Sequence, residues 1–238
     1  MDFSGLKKPY HAALEGDWKG MESFYSKHPE RLLDPLTIDK DTAFHIAAYS
    51  AETKLLGHFL DLLKEPSQIL AALSNKNSHG NNTFHEVTTT DNVKAIKLLI
   101  SKLEWACAQD KVHGTNFITE LKKLLEDQNQ LGETPLYRAV ALGQFQVLKF
   151  CAKRVGNLSY HFHRYDKMSI LHIAAIGQHF ETAAWLLEKD KGLGKEKGNS
   201  GMTCLHLLAK MPSAFESSSR MGKMKTLLYY CMLSMLCV

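Results

Sequence analysis

The chain has 238 residues, 45% apolar and 23% charged, ordinary values for a protein with a core of its own. Twenty-nine Lys and Arg against 25 Asp and Glu leave a net charge of +4 with both signs mixed along the chain, too weak and scattered for a nucleic-acid footprint. Five cysteines (107, 151, 204, 231 and 237), an odd number without CxxC, argue against a disulfide framework or zinc knuckle and for reduced thiols in a cytoplasmic setting.

In chain order, six segments align without gaps: "YHAALEGDWKGMESFY" from Tyr10, "HIAAYSAETKLLGHFL" from His45, "HEVTTTDNVKAIKLLI" from His85, "YRAVALGQFQVLKFCA" from Tyr137, "HIAAIGQHFETAAWLL" from His172 and "HLLAKMPSAF" from His206. Their first residues are 35, 40, 52, 35 and 34 positions apart. Two places after each marker stands a small or apolar residue, as at Ala47, Ala139 and Ala174. Apolar residues recur 8, 11, 14 and 15 places after it, one face of a 3.6-residue helix. Each unit therefore reads as a short inner helix followed by an antiparallel outer one, a pair that cannot bury its apolar face alone.

Three places before the marker stand Thr42, Asn82, Thr134, Ser169 and Thr203, whose side chains can accept from the free N–H groups that open a helix; the first unit has Lys7 there. Pro135 follows Thr134, where a missing N–H costs nothing. The long step before Tyr137 predicts an extra helical insertion over about residues 102–130, including "NFITELKKLLEDQ". The sixth unit breaks at "KMPSAFESSSRMGKMK", and residues 216–238 read as a linker and a short apolar helix. That terminal run, Leu227 to Val238, is too short to span a bilayer, and its uncapped apolar end predicts self-association or a partner. Its cysteines, Cys231 and Cys237, are open to acylation as well as to simple burial. The N-terminal "MDFSGLKKPYHAAL" has no apolar stretch of the secretory type.

"TAFHIAA", "TPLYRAV", "SILHIAA" and "TCLHLLA" resemble the T-P-L-H-x-A signature of ankyrin repeats. The resemblance runs from about Pro9 to Ala214. It implies an all-α solenoid of about six helix-turn-helix units over residues 1–215, starting near 7, 42, 82, 134, 169 and 203. "AALEGDW", "GMTCLHLLAKMPSAF" and "RMGKMKTLLYYC" are similar to the plant branch that carries a C-terminal PGG-type membrane domain, which is missing here. That branch implies stress or defence signalling, at the cytoplasmic face of the plasma membrane, with membrane-embedded ankyrin relatives as partners. This chain would then be a truncated or alternatively processed form. The departures are plain: proline survives in the motif only as Pro135, tyrosine replaces histidine at Tyr10 and Tyr137, and "HEVTTT" lacks the small residues.

By the same resemblance His45, His172 and His206 are architectural, bonding Thr42, Ser169 and Thr203 and the backbone of the turns; His85 with Asn82 is a weaker case. Markers a whole unit apart lie too far from one another to share a metal ion. No HExxH, GxSxG or P-loop occurs, so the expectation is a non-enzyme without metal, cofactor or small-molecule substrate. One alternative stays open: "YHFHRYD" places His161 and His163 as an HxH pair, which could bind a metal with His172 or His179. In the family, partners are held by turn tips and exposed inner-helix positions. Here these are Asp39, Lys40, Asn81, Glu133, Tyr165 and Lys167 at the tips, with Tyr49 and Arg138 on inner helices, types favoured at interface hot spots. The expected function is a protein-interaction scaffold or adaptor.

Overall fold

The computed structural model describes residues 4–110, 114–211 and 227–228. Among these the secondary structure is thirteen α-helices and four short 3-10 turns; there is no strand, only an isolated bridge between His163 and Ser169. Five helix pairs fall where the periodicity places them: α1 (Lys7–Glu15) and α2 (Trp18–Lys27), α3 (Ala43–Tyr49) and α4 (Thr53–Leu62), α6 (Thr83–Val87) and α7 (Val93–Gln109), α9 (Pro135–Ala141) and α10 (Phe145–Ala152), α11 (Ile170–Ile176) and α12 (Phe180–Lys189). A sixth inner helix, α13 (Cys204–Ala209), follows. Two more helices, α5 (Pro66–Ser74) and α8 (Phe117–Glu126), lie between pairs.

Local chemistry sets the starts. Thr42, Asn82, Thr134, Ser169 and Thr203 each stand immediately before an inner helix. The Oγ1 of Thr134 accepts the Tyr137 N–H at 3.2 Å, and Pro135 occupies the first turn. The inner helices run only five to nine residues, too short to persist in isolation, so packing must hold them.

That packing follows chain order. Each inner helix from α3 onward meets the next (α3, α6, α9, α11, α13), and the outer helices α2, α4, α7 and α10 meet in the same sequence. The positions eleven after each marker (Met21, Leu56, Ile96, Leu148 and Ala183) are all fully buried, as the helical period predicts. Small residues two after the marker, Ala47, Ala139 and Ala174, are buried where neighbouring inner helices approach. One continuous core runs from Leu6 to Leu208 and includes Leu227.

The insertion differs from its predicted bounds. Residues 102–109 are not a separate segment but the continuation of α7, whose apolar face extends through the buried Leu103, Ala106 and Cys107 with no glycine or proline to stop it. The added helix proper is α8. Sequence reading missed α5, which opens on Glu65 and Pro66 with Gln68 closing a capping box, and which packs along α7. The outer helix expected for the sixth unit and most of the expected apolar terminal helix fall outside the described residues, as do Cys231 and Cys237. No described helix is long and apolar enough to cross a membrane.

Five turns lead into inner helices, and each closes on one backbone bond: Leu36 N to Asp41 O, Asn77 N to Asn81 O, Asn129 N to Glu133 O, Arg164 N to Met168 O and Gly198 N to Met202 O. Each needs a left-handed residue, supplied by Lys40, Gly80, Gly132, Lys167 and Gly201. Successive tips are joined by Ser78 N to Asp39 O (2.6 Å), Gln130 N to His79 O (3.0 Å) and Tyr165 N to Leu131 O (3.1 Å).

Lys40 and Lys167 therefore sit in a conformation that costs an ordinary side chain about 1 kcal/mol, and Lys167→Gly should stabilise by about that amount in urea unfolding. Gly132→Ala should destabilise by more than about 1 kcal/mol, because φ is +82° and an added Cβ would lie 2.7 Å from both the backbone nitrogen and the ring of Tyr165.

Candidate functional site

The markers of units two, three and five do one job. Thr42 N–H donates to Nδ1 of His45 at 3.1 Å, and Nε2 of the same ring lies 3.0 Å from the carbonyl of Asn81. A carbonyl only accepts, so the proton is on Nε2 and the ring is the neutral tautomer that accepts at Nδ1. His85 has the same neighbours, Asn82 N–H at 3.1 Å from Nδ1 and the carbonyl of Glu133 at 3.0 Å from Nε2, with Asn82 Oδ1 also 2.8 Å from Nδ1. His172 repeats the pattern with the Ser169 hydroxyl at 2.5 Å and the carbonyl of Met202 at 2.9 Å. In each case the carbonyl belongs to the residue just before the next unit's N-cap. His206 bonds Thr203 through Nδ1 in the same way but is exposed.

Unit four solves the problem differently. The Tyr137 hydroxyl donates to the carbonyl of Met168 at 3.3 Å, the equivalent of the other three carbonyls. A phenol has no ring nitrogen to accept from the Thr134 hydroxyl, whose proton needs another partner. It finds Nδ1 of His161, 2.9 Å away on the following turn. Sequence reading offered His161 as a metal ligand; the available clue was the tyrosine at the marker, which leaves a buried threonine hydroxyl unmatched.

The two rings of the HxH pair are thus engaged separately. His161 is buried, whereas His163 bonds Glu196 through Nε2 at 3.0 Å. Nε2 of His172 holds Met202, and Nε2 of His179 lies 3.2 Å from the carbonyl of Ala141. Among the described residues, no group of three or more His, Cys, Asp or Glu converges to hold a metal ion.

Four of the predicted surface residues, Asp39, Tyr49, Asn81 and Arg138, line one groove of about 690 Å³ that crosses three units. Asp41, Ile46, Asn77, His79, Glu86, Gln130 and Leu131 complete much of its wall. Lys40, Tyr165 and Lys167 lie on turns outside its lining; Tyr165 is exposed and donates to Gln128 Oε1 at 3.3 Å. Glu133 is buried behind the groove.

A polar network that the sequence did not disclose runs beneath the groove. Asn77 Nδ2 donates to Asp41 at 2.8 Å, Asn81 Nδ2 to Glu86 at 2.7 Å, and Asn129 Nδ2 to Asn81 Oδ1 and Glu133 Oε2 at 3.0 Å each. Arg164 bonds Glu133 at 3.2 Å and Asp166 at 2.5 Å, which holds the Asp166 carboxyl below its usual range. Arg138 lies 3.6 Å from Glu86 and 3.9 Å from Glu133, an attraction without a close hydrogen bond. Such a network has to be nearly complete, because a buried polar group left unmatched costs about 1–3 kcal/mol.

A second constellation has the form of a triad and not its machinery. Ser26 Oγ lies 2.9 Å from Nε2 of His58, whose Nδ1 is 3.5 Å from Glu22. Yet the serine proton goes to the Glu22 carbonyl at 2.7 Å. Ser26 stands in the last turn of α2 and His58 in the middle of α4, so the neighbouring amides are occupied in helix bonds and offer no oxyanion hole.

His172→Ala should lower stability by roughly 1–3 kcal/mol in urea unfolding, and His206→Ala, already exposed, by less. Burial pushes His85 down to about 3 and His161 to about 4. The unfolded chain takes up these protons near pH 6.5 and the folded chain only well below it, so stability falls as pH drops from about 6.5, by at most about 1.4 kcal/mol per pH unit for each ring. His161→Gln should flatten that slope between about pH 6.5 and 4. No protein-family model matches the chain, and no curated protein does either.

Proposed function

We propose that the chain is an ankyrin-type repeat solenoid that acts as a non-catalytic protein-interaction scaffold, holding its partner in the groove between the turn tips and the inner helices. Support for the architecture comes from the T-P-L-H-x-A-like motifs together with the repeated joint from marker ring to next carbonyl. The observation that carries the binding role is the groove itself. It is open, it spans three units, and its lining holds Tyr49, 63% exposed, and Leu131, 56% exposed, with Asn77, Asn81, Asn129 and Glu86 hydrogen-bonded in its floor. Large apolar side chains held out over a rigid polar floor match the anatomy of a recognition surface more than that of a reaction centre. Arg138, Asn81 and Glu133 support the floor, so contact with a partner falls to Tyr49, Asp39, His79 and Leu131 at the rim.

Photo-cross-linking tests this directly. With benzoylphenylalanine at position 49, cross-links to a discrete protein are expected in extracts of the source cells. The same group at Lys97, exposed on α7, should give few. Equal capture from the two positions, or capture from position 97 alone, would place the binding face elsewhere.

A further inference from the structure

We propose that the groove takes a positively charged side chain, arginine or lysine, carried with apolar neighbours on an extended segment of the partner protein. This rests on the groove being the partner-binding face. The inference comes from its charge balance. Among the described residues, Asp39, Asp41 and Glu86 line it against a single full cation, Arg138; His79, 3.9 Å from Asp39, adds another only when protonated. Arg138 neutralises none of the three closely, since it is shared between Glu86 and Glu133 at 3.6 and 3.9 Å.

The carboxylates are hydrogen-bonded, but by neutral donors. Asp41 takes the Thr37 hydroxyl at 2.9 Å and the Asn77 amide at 2.8 Å, Glu86 takes the Asn81 amide at 2.7 Å, and Asp39 takes the Ser78 hydroxyl at 3.1 Å. Neutral donors hold a carboxylate in place without cancelling its charge. A concave wall lined by one sign of charge concentrates the field in the space it encloses. The same lining holds apolar side chains: Ile46, Tyr49 and Leu131 offer the aliphatic and aromatic surface that the stem of an arginine or lysine covers. Because the lining comes from three consecutive turns, the groove is shaped for a chain lying across the units. An acidic or phosphorylated segment would meet uncompensated like charge.

NMR titration of tyrosine-labelled protein near neutral pH reads the claim. The probes are acetyl-Leu-Arg-Leu-amide, its citrulline analogue, which keeps the shape and loses the charge, and its glutamate analogue. The arginine peptide should move the Tyr49 ring signals with a Kd at least about tenfold below that of the citrulline peptide. Raising NaCl from about 50 to about 300 mM should shrink that preference, because the charges are partly exposed. Asp39→Asn, at a side chain 60% exposed, should remove most of the preference and leave the circular dichroism of the protein unchanged. Equal affinity for the arginine and citrulline peptides, with Tyr49 still responding, would overturn the cationic specificity and keep the groove as the binding face. A Tyr49 signal unmoved by all three peptides at about 10 mM would overturn both.

Discussion

From the second unit to the sixth, the described fold depends on one hydrogen bond made at each joint: the bond from a buried ring or phenol to the carbonyl just before the next inner helix. The marker sits in the first turn of a helix of five to seven residues in units two to five, too short to hold itself together. On one side the ring satisfies the N-cap residue of its own unit; on the other it reaches the turn that starts the next. Helix initiation and the spacing between units are therefore set by the same atoms. The neutral Nε2–H tautomer is required, because the far partner is always a carbonyl. A protonated ring would lose its acceptor at Nδ1 and carry a charge into the core.

The fourth unit shows how general that constraint is. Replacing histidine by tyrosine keeps the donor to the far carbonyl and discards the acceptor for the near hydroxyl. His161 supplies the missing nitrogen through Nδ1, while its own buried Nε2 is left without a partner. One residue change in the motif thus accounts for a second histidine some two dozen positions away. An HxH that reads as metal chemistry in one dimension resolves into a repair of the joint and a surface contact with Glu196.

The same economy separates folding from recognition along the groove. Asn77, Asn81, Asn129, Glu86 and Glu133 bond one another and the arginines, so their side chains are occupied in holding three turns in register. A surface built this way is rigid, which limits the ordering cost of binding. Tyr49, Asp39, His79 and Leu131 project past the network and are exposed to new contacts. Its carboxylates are matched mostly by amides and hydroxyls and less by cations, which leaves the groove negative although the whole chain carries a net charge of +4.

Periodicity alone made the helix pairs, their N-caps and the buried face of each outer helix legible. Those features depend on neighbours within one or two turns, and a 3.6-residue repeat marks them at Met21, Leu56, Ile96 and Leu148. The Glu65-Pro66 start of α5 was equally local and could have been read. Pairings across 31 to 48 residues could not: Asn81 with Asn129 and Glu133 with Arg164 carry no mark in either partner's surroundings, and Tyr137 marks Thr134 as unmatched without pointing to His161. Nor could the sequence sort its candidates, since a turn-tip Asp39 that projects and a turn-tip Glu133 that is buried look alike until the turns stack. Local hydrogen-bond needs and helical period are properties of adjacent residues and are therefore written in the sequence. Which polar groups are spent on one another, and which are left to meet a partner, depends on distances that exist only once successive units have closed on each other.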